Sequence, residues 1–173
     1  IYQGDNPSFL CQCESSRSIY SCSETEKYAA VTKYIINNNV IIKKGIIKYG
    51  GQWACHIQCM REHVITAAYG SGSLSVIDKN LQREIINTRT RVNMKKESHT
   101  HWSVYTPDGK YLLAVDLGQD CIIGWPIVND MIKPEYKINI TLQNGSGPRQ
   151  IFFSHDGRKC YVICEIDNTI NVF

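Results

Sequence analysis

Short apolar runs, separated by turn residues, recur along this chain, and sustained helical spacing is almost absent. Lys110–Val115 and Cys121–Ile127 are two such runs, and residues 117–120 between them (LGQD) have the composition of a turn. Tyr136–Leu142 then alternates apolar and polar residues, as a strand with one buried face does. The pattern therefore predicts an all-β protein.

A repeated unit is visible in this pattern. The stretch that starts at His101 can be laid over the stretch that starts at Arg149 without gaps, so that residues 107–109 (PDG) fall on residues 155–157 (HDG). Two further copies precede them, and a period of ~40–50 residues with several short strands is typical of propeller blades. The sequence therefore predicts a β-propeller. In this frame one equivalent position is shared by Glu24, Tyr69, Leu117 and Glu165.

The predicted propeller is a single, partial domain of about three and a half to four blades. An array of blades that does not close leaves strand edges and apolar faces exposed, so either four blades close on themselves or the sequence is a fragment. At ~45 residues per blade, a seven-bladed ring would need about 315 residues. The approximate blade limits are 1–46, 47–94, 95–142 and an incomplete 143–173.

Composition and charge narrow the class of protein. Of the 173 residues, 43% are hydrophobic and 20% are charged, which is ordinary for a globular domain. The net charge of +3 includes no long run of one sign, so the sequence predicts neither a nucleic-acid partner nor binding to an anionic membrane. No apolar segment approaches the ~18 residues that a membrane span requires. We therefore expect a soluble protein.

The chain has eight cysteines and no CxxC pair. Cys11 and Cys13, like Cys160 and Cys164, lie within alternating apolar stretches, where a free cysteine behaves as a small hydrophobic residue. We therefore interpret the cysteines as free thiols, in preference to disulfides or metal ligands. This interpretation favours a reducing, cytoplasmic location.

Several charged or titratable residues flank predicted strands at positions where strand formation does not require them. Arg149 precedes an apolar run and Glu165 follows the next one, so each is either a solvated rim charge or part of a site. His99 and His101 have a spacing that could chelate a metal from one face of a strand, but no third ligand is evident, and we predict no metal. Asp116, like Asp120, is expected to shape a turn through side-chain bonds to the backbone, with a substrate contact as the alternative.

Two motifs carry a resemblance to a known family. Residues 98–120 begin with SHTH and end with DLGQD, and residues 145–172 contain GSGPR, a DG turn and EIDNTINV. This order of motifs resembles the seven-bladed lactonase family, whose members include bacterial-type 6-phosphogluconolactonase and fungal carboxymuconate cyclase. The resemblance covers the whole chain and implies that it begins inside the first blade and stops within the fourth.

The resemblance also implies a site. Family members are thought to use a cleft at one face of the ring, and their histidine, arginine and glutamate fall on His101, Arg149 and Glu165. Two positions depart from the family pattern: Gln150 replaces a common histidine, and Cys164 replaces a usual asparagine. Further substrate contacts are expected from four residues, for which a purely structural role is the alternative: His56, His99, Asp116 and Gln150.

The implied activity is hydrolysis of 6-phosphoglucono-δ-lactone, without a cofactor. His101 could deprotonate the attacking water, Arg149 could bind the oxyanion, and Glu165 could orient either group or act as the base. The expected partner is thus a small sugar-phosphate lactone, and the oligomeric state stays open. Two alternatives remain at this point: a muconate-type cyclase or isomerase of the same family, and a propeller that binds a partner without catalysis.

Overall fold

Four antiparallel sheets follow one another along the part of the chain that the computed structural model describes, which is residues 5–13 and 16–173. In the first, second and fourth sheets every strand is hydrogen-bonded to the next strand along the chain, as in a meander. The first sheet contains β1 (Pro7–Gln12), β2 (Ser18–Glu24), β3 (Ala29–Asn37) and β4 (Val40–Tyr49). The second contains β5 (Ala54–Met60), β6 (His63–Ala68), β7 (Ser73–Asp78) and β8 (Glu84–Arg89).

The third sheet is the most elaborate of the four. It contains β9 (Thr100–Tyr105), β10 (Tyr111–Asp116), β11 (Cys121–Val128), the short β12 (Met131–Ile132) and β13 (Ile138–Thr141), with a 3-10 turn at Pro134–Tyr136. Both β12 and β13 pair with β11. The fourth sheet contains β14 (Pro148–Phe153), β15 (Cys160–Cys164) and β16 (Thr169–Val172). The predicted all-β class is confirmed.

Matching turns join the first two strands of the third and fourth sheets. In the third sheet, the Asp108 carboxylate accepts hydrogen bonds from the Thr106 hydroxyl (2.7 Å) and the Lys110 N–H (3.0 Å). In the fourth, Asp156 accepts from the Ser154 hydroxyl (2.6 Å) and the Arg158 N–H (3.1 Å). A glycine follows each aspartate with φ +69°, a conformation that favours glycine. These turns account for the alignment of residues 107–109 with residues 155–157.

A separate hydrophobic core fills each interface between neighbouring sheets. Tyr20 and Val31 of the first sheet pack with Ile57 of the second. The opposite face of the second sheet contributes Ile65 to a core with Trp125 of the third. The third and fourth sheets share another core, which contains Val115, Ile122, Ile151 and Val162. Sheets that pack face to face in chain order, with β1, β5, β9 and β14 side by side, form an arc of propeller blades.

Four residues that the sequence repeat places at one equivalent position make the same backbone hydrogen bond in their blades. Each of the four follows or ends the second strand of its sheet, and its N–H donates a 2.9 Å hydrogen bond to the segment that precedes the first strand. The frame is therefore confirmed. The four donors and their acceptor carbonyls are Glu24 to Asn6, Tyr69 to Trp53, Leu117 to His99, and Glu165 to Gly147.

The approximate blade limits stay predictions. The limit at residue 46 falls inside β4, which continues to Tyr49. The described residues contain no helix with the length and hydropathy that a membrane crossing requires.

Candidate functional site

A β-bulge interrupts the first strand of every sheet at the same place. In β9, Thr100 pairs with Asp116 and Trp102 with Val115, so His101 is the extra residue. In β14, Arg149 is the extra residue for the same reason. A bulged residue is left out of the ladder and its side chain is re-aimed. His101 and Arg149 therefore leave adjacent blades at the same height. The first two sheets have Ser8 and Cys55 at this position.

Arg149 and Glu165 form an ion pair at this end of the blades. The Arg149 Nη1 group contacts the Glu165 carboxylate, and the two side chains are 44% and 38% exposed. Because a guanidinium presents five N–H donors, this contact leaves others for a ligand. The pair combines a fixed positive charge with an accessible carboxylate.

His101 lies beside this pair and is almost buried. Its Nδ1 atom has no hydrogen-bond partner among the described residues. Burial lowers the pKa of His101 to about 4, and the Arg149 charge adds to this effect, against the opposing influence of Glu165. The imidazole is therefore neutral at pH 7 and can accept a proton.

Tyr69 joins this site, although sequence reasoning did not select it. Its ring stacks on the His99 ring at 4.3 Å and meets the His101 ring edge-on at 6.0 Å. Burial raises the pKa of Tyr69, and the nearby Glu165 charge adds to the increase. The signal that could have identified Tyr69 was its position in the repeat, because it is the second blade's equivalent of Glu165.

His99 is brought to the same end of the blades as His101. Its Nδ1 atom lies 3.1 Å from the Tyr69 carbonyl oxygen, and its Nε2 atom lies 3.3 Å from the Glu97 carboxylate. The ring is partly exposed, with 23% of the side chain accessible, so a ligand can reach it.

His56 is not placed to contact a substrate, which corrects the expectation from the sequence. It is 3% exposed and its ring stacks on Trp102 at 3.8 Å, with Phe9 at 5.0 Å on another side. The Ser103 N–H donates to its Nδ1 atom (3.3 Å). His56 follows the bulged residue, so its ring points between the blades. It packs there beneath the candidate site.

We expect His56 to make the protein sensitive to acid. Burial lowers its pKa to about 3, with the His101 charge adding to the effect, so an unfolded chain takes up a proton from pH 6.5 downward while the folded chain does not. The contribution of neutral His56 to the free energy of unfolding is therefore fully present above pH 6.5. It decreases as pH falls, by about 3 kcal/mol at pH 4. Denaturant unfolding of His56→Phe between pH 7 and 4 should show a smaller decline.

The matched control for this experiment is His155→Phe, because His155 lies exposed in a turn. That variant should keep the acid sensitivity of the unchanged protein. Equal pH dependence in the His56 and His155 variants would contradict the assignment.

Asp116 is also corrected from a substrate contact to a positioning residue. Its side chain is 0% exposed, so no substrate reaches it. The carboxylate accepts hydrogen bonds from the N–H groups of His99 (2.7 Å) and Gln119 (3.1 Å), and from the hydroxyls of Thr90 and Ser98. The bond to Gln119 shapes the turn as predicted, while the others fasten the segment before β9 and thereby hold His99.

Asp120 has the corresponding role for Arg149. Burial raises the pKa of Asp120, but hydrogen bonds from Lys96 (2.6 Å) and from the N–H groups of Gly145 and Gly147 (2.9 Å each) outweigh it and hold the pKa below its usual value. Gly147 has φ +61°, and a Cβ atom there would lie 2.6 Å from the Ile166 side chain. A glycine is thus needed where the chain enters β14.

Gln150 stands opposite Ile163 in the ladder between β14 and β15. It occupies the position after the bulge, which His56 and Trp102 occupy in the preceding sheets. Its role as a substrate contact stays a prediction. Within residues 5–13 and 16–173, no three histidine, cysteine, aspartate or glutamate side chains converge as a metal site would require.

The fold and this site define the class of protein. Meander sheets that pack as successive blades, with bulged residues projecting together from their first strands, make the chain an arc of a β-propeller. The whole chain, residues 1–173, matches the family described as "Lactonase, 7-bladed beta-propeller". The chain therefore belongs to this family.

Individual relatives agree with this membership. The chain is 26% identical to the 6-phosphogluconolactonase of Bacillus subtilis over 179 residues, which cover 95% of this chain and 50% of that protein. It is 31% identical over 130 residues to an uncharacterized protein of Staphylococcus epidermidis, covering 68% and 37% of the two chains. The chain thus spans half or less of the length of these relatives.

A solved structure gives the same picture. The crystal structure of a candidate 6-phosphogluconolactonase from Bacteroides fragilis aligns with a TM-score of 0.87 at 29% identity, covering 97% of this chain and 53% of that one. The propeller fold and the family membership are therefore shown.

Proposed function

We propose that this chain forms part of a lactonase that hydrolyses 6-phosphoglucono-δ-lactone to 6-phosphogluconate. The observation that carries the proposal is the convergence of a neutral imidazole, a guanidinium and a carboxylate at one end of the blades: His101, Arg149 and Glu165. The name of the Bacillus subtilis relative supports the choice of substrate. In the part of the chain that the structure describes, none of the eight cysteines is in a disulfide, which fits a reducing compartment, and we assign the protein to the cytoplasm.

In the proposed reaction His101 accepts a proton from the attacking water while Arg149 binds the oxyanion that forms on the carbonyl. The developing negative charge offsets the Arg149 charge that helps to hold the His101 pKa low. The imidazole therefore becomes more basic as the oxyanion forms. Protonated His101 then returns the proton to the ring oxygen as the carbon–oxygen bond breaks. Glu165 orients Arg149 through their ion pair.

The test is a hydrolysis assay on the intact protein that contains this sequence, corrected for spontaneous opening of the lactone. We expect turnover of 6-phosphoglucono-δ-lactone. The rate should hold between pH 8 and 5 and should fall only near the pKa of His101, which is about 4, because protonation removes the base. A rate that falls near pH 6.5 would contradict the role of buried His101, and turnover of a muconate without any lactone would overturn the proposal.

A further inference from the structure

A second feature opens at the same end of the blades, next to the proposed catalytic group. It is a groove of about 630 Å³ that lies outside the Arg149–Glu165 pair and begins at the partly exposed His99 ring. Apart from Gly70 and Met94, the residues that line it are polar or charged, and they include Arg89, Arg91 and His99.

Strand geometry places two guanidiniums in this groove. Arg89 ends β8 and Arg91 follows two residues later, so both project to the same side of the extended chain. Thr90 between them points the other way, is 0% exposed and donates its hydroxyl to the Asp116 carboxylate. The buried contact fixes the backbone, and the two arginines line the groove as a pair.

Backbone carbonyls hold both guanidiniums without neutralising them. Arg89 donates to the Ser71 carbonyl, and Arg91 donates from Nε (3.1 Å) and Nη2 (2.8 Å) to the Lys96 carbonyl. Among the described residues, neither arginine lies within 4.0 Å of a carboxylate oxygen. Each guanidinium keeps further N–H donors, and oriented arginines are well suited to phosphate.

The acidic residue of the groove does not cancel this charge. Glu97 is 84% exposed and pairs with His99 Nε2 at 3.3 Å, which directs it toward the imidazole. Two fixed positive charges therefore face one solvated carboxylate. The groove favours an anion.

The groove begins near the proposed reacting group. The Tyr69 ring lies 4.3 Å from the His99 ring, which lines the groove, and 6.0 Å from the His101 ring. The groove and the candidate catalytic histidine are therefore linked through one shared aromatic neighbour.

We propose that Arg89 and Arg91 form the phosphate subsite of the enzyme, an inference that rests on the proposed lactonase function. The subsite holds the 6-phosphate through charge-assisted hydrogen bonds while the lactone carbonyl lies at Arg149 and His101. Selection of phosphorylated over unphosphorylated lactones then comes from these two arginines.

The experiment compares two lactones on the intact protein and its Arg89→Ala/Arg91→Ala variant. The variant should raise the KM for 6-phosphoglucono-δ-lactone by roughly tenfold to a hundredfold, because it removes two charge-assisted contacts to phosphate. Its kcat/KM for glucono-δ-lactone should equal that of the unchanged protein. The Arg89→Lys/Arg91→Lys variant should recover part of the loss, since it keeps the charge but not the planar fork.

Arg158→Ala provides the matched control, because Arg158 is exposed in the turn between β14 and β15, at the opposite end of the strands from Arg149. It should leave both lactones unaffected. Equal losses for the two lactones in the double alanine variant, or no loss for either, would overturn the subsite.

A binding measurement separates this inference from the proposed function. Calorimetric titration with 6-phosphogluconate and with gluconate requires no turnover. Tighter binding of the phosphorylated acid, abolished by Arg89→Ala/Arg91→Ala, supports the subsite even if neither lactone is hydrolysed. Equal affinity for the two acids overturns the subsite even if the lactone is hydrolysed.

Discussion

Replacing Arg149 with alanine should lower kcat/KM for lactone hydrolysis by about 10²–10³, the usual cost of removing a group that stabilises an oxyanion. The substitution removes the positive charge beside His101 and leaves Glu165 without its ion-pair partner. The measurement is the steady-state rate of the intact protein on 6-phosphoglucono-δ-lactone, corrected for spontaneous opening.

Two further variants identify what Arg149 contributes. Arg149→Lys keeps a positive charge but loses the planar fork of donors, so its rate should fall between those of the alanine variant and the unchanged protein. Arg158→Ala removes an exposed charge in the turn between β14 and β15 and should leave the rate unchanged. An Arg149→Ala protein as active as the Arg158→Ala protein would exclude Arg149 from the mechanism.

The repeat made much of this arrangement predictable from sequence. Because neighbouring blades pack against one another in the same way, their apolar positions recur with the same spacing, and the position of Glu165 could be identified in the other blades. The frame places strand within residues 23–34, and β3 begins there at Ala29. It also gave His101 and Arg149 the same position in successive blades.

Contacts between distant parts of the chain account for what the sequence did not reveal. Asp116 looked like a turn residue with access to substrate, yet its hydroxyl donors come from Thr90 and Ser98 in the segment that connects the second and third sheets. The sequence predicted a substrate contact for His56, yet the rings of Phe9 and Trp102 enclose it from the sheets on both sides. The periodicity of the sequence indicates on which face of a strand a residue lies. It does not indicate which residues from other strands pack against that face.

Asp116 is also where we expect the largest loss of stability. Asp116→Ala leaves two backbone N–H groups and two hydroxyls without their shared acceptor in a fully buried place. Buried donors that lose a charged acceptor are costly, and the free energy of unfolding should fall by about 3–5 kcal/mol. Denaturant unfolding of the intact protein measures this change.

Two further variants, Asp108→Ala and Asp116→Asn, separate the effect of burial from the effect of charge on stability. Asp108 accepts the same kinds of hydrogen bonds, from a hydroxyl and a backbone N–H, but in an exposed turn, so Asp108→Ala should cost much less than Asp116→Ala. Asp116→Asn keeps one carbonyl oxygen for the N–H groups of His99 and Gln119, and its amide can donate to the Thr90 and Ser98 hydroxyls once they rotate. Its loss should therefore be smaller than that of Asp116→Ala. If Asp116→Ala costs no more than Asp108→Ala, the segment before β9 is held by other contacts, and the positioning of His99 has to be explained without Asp116.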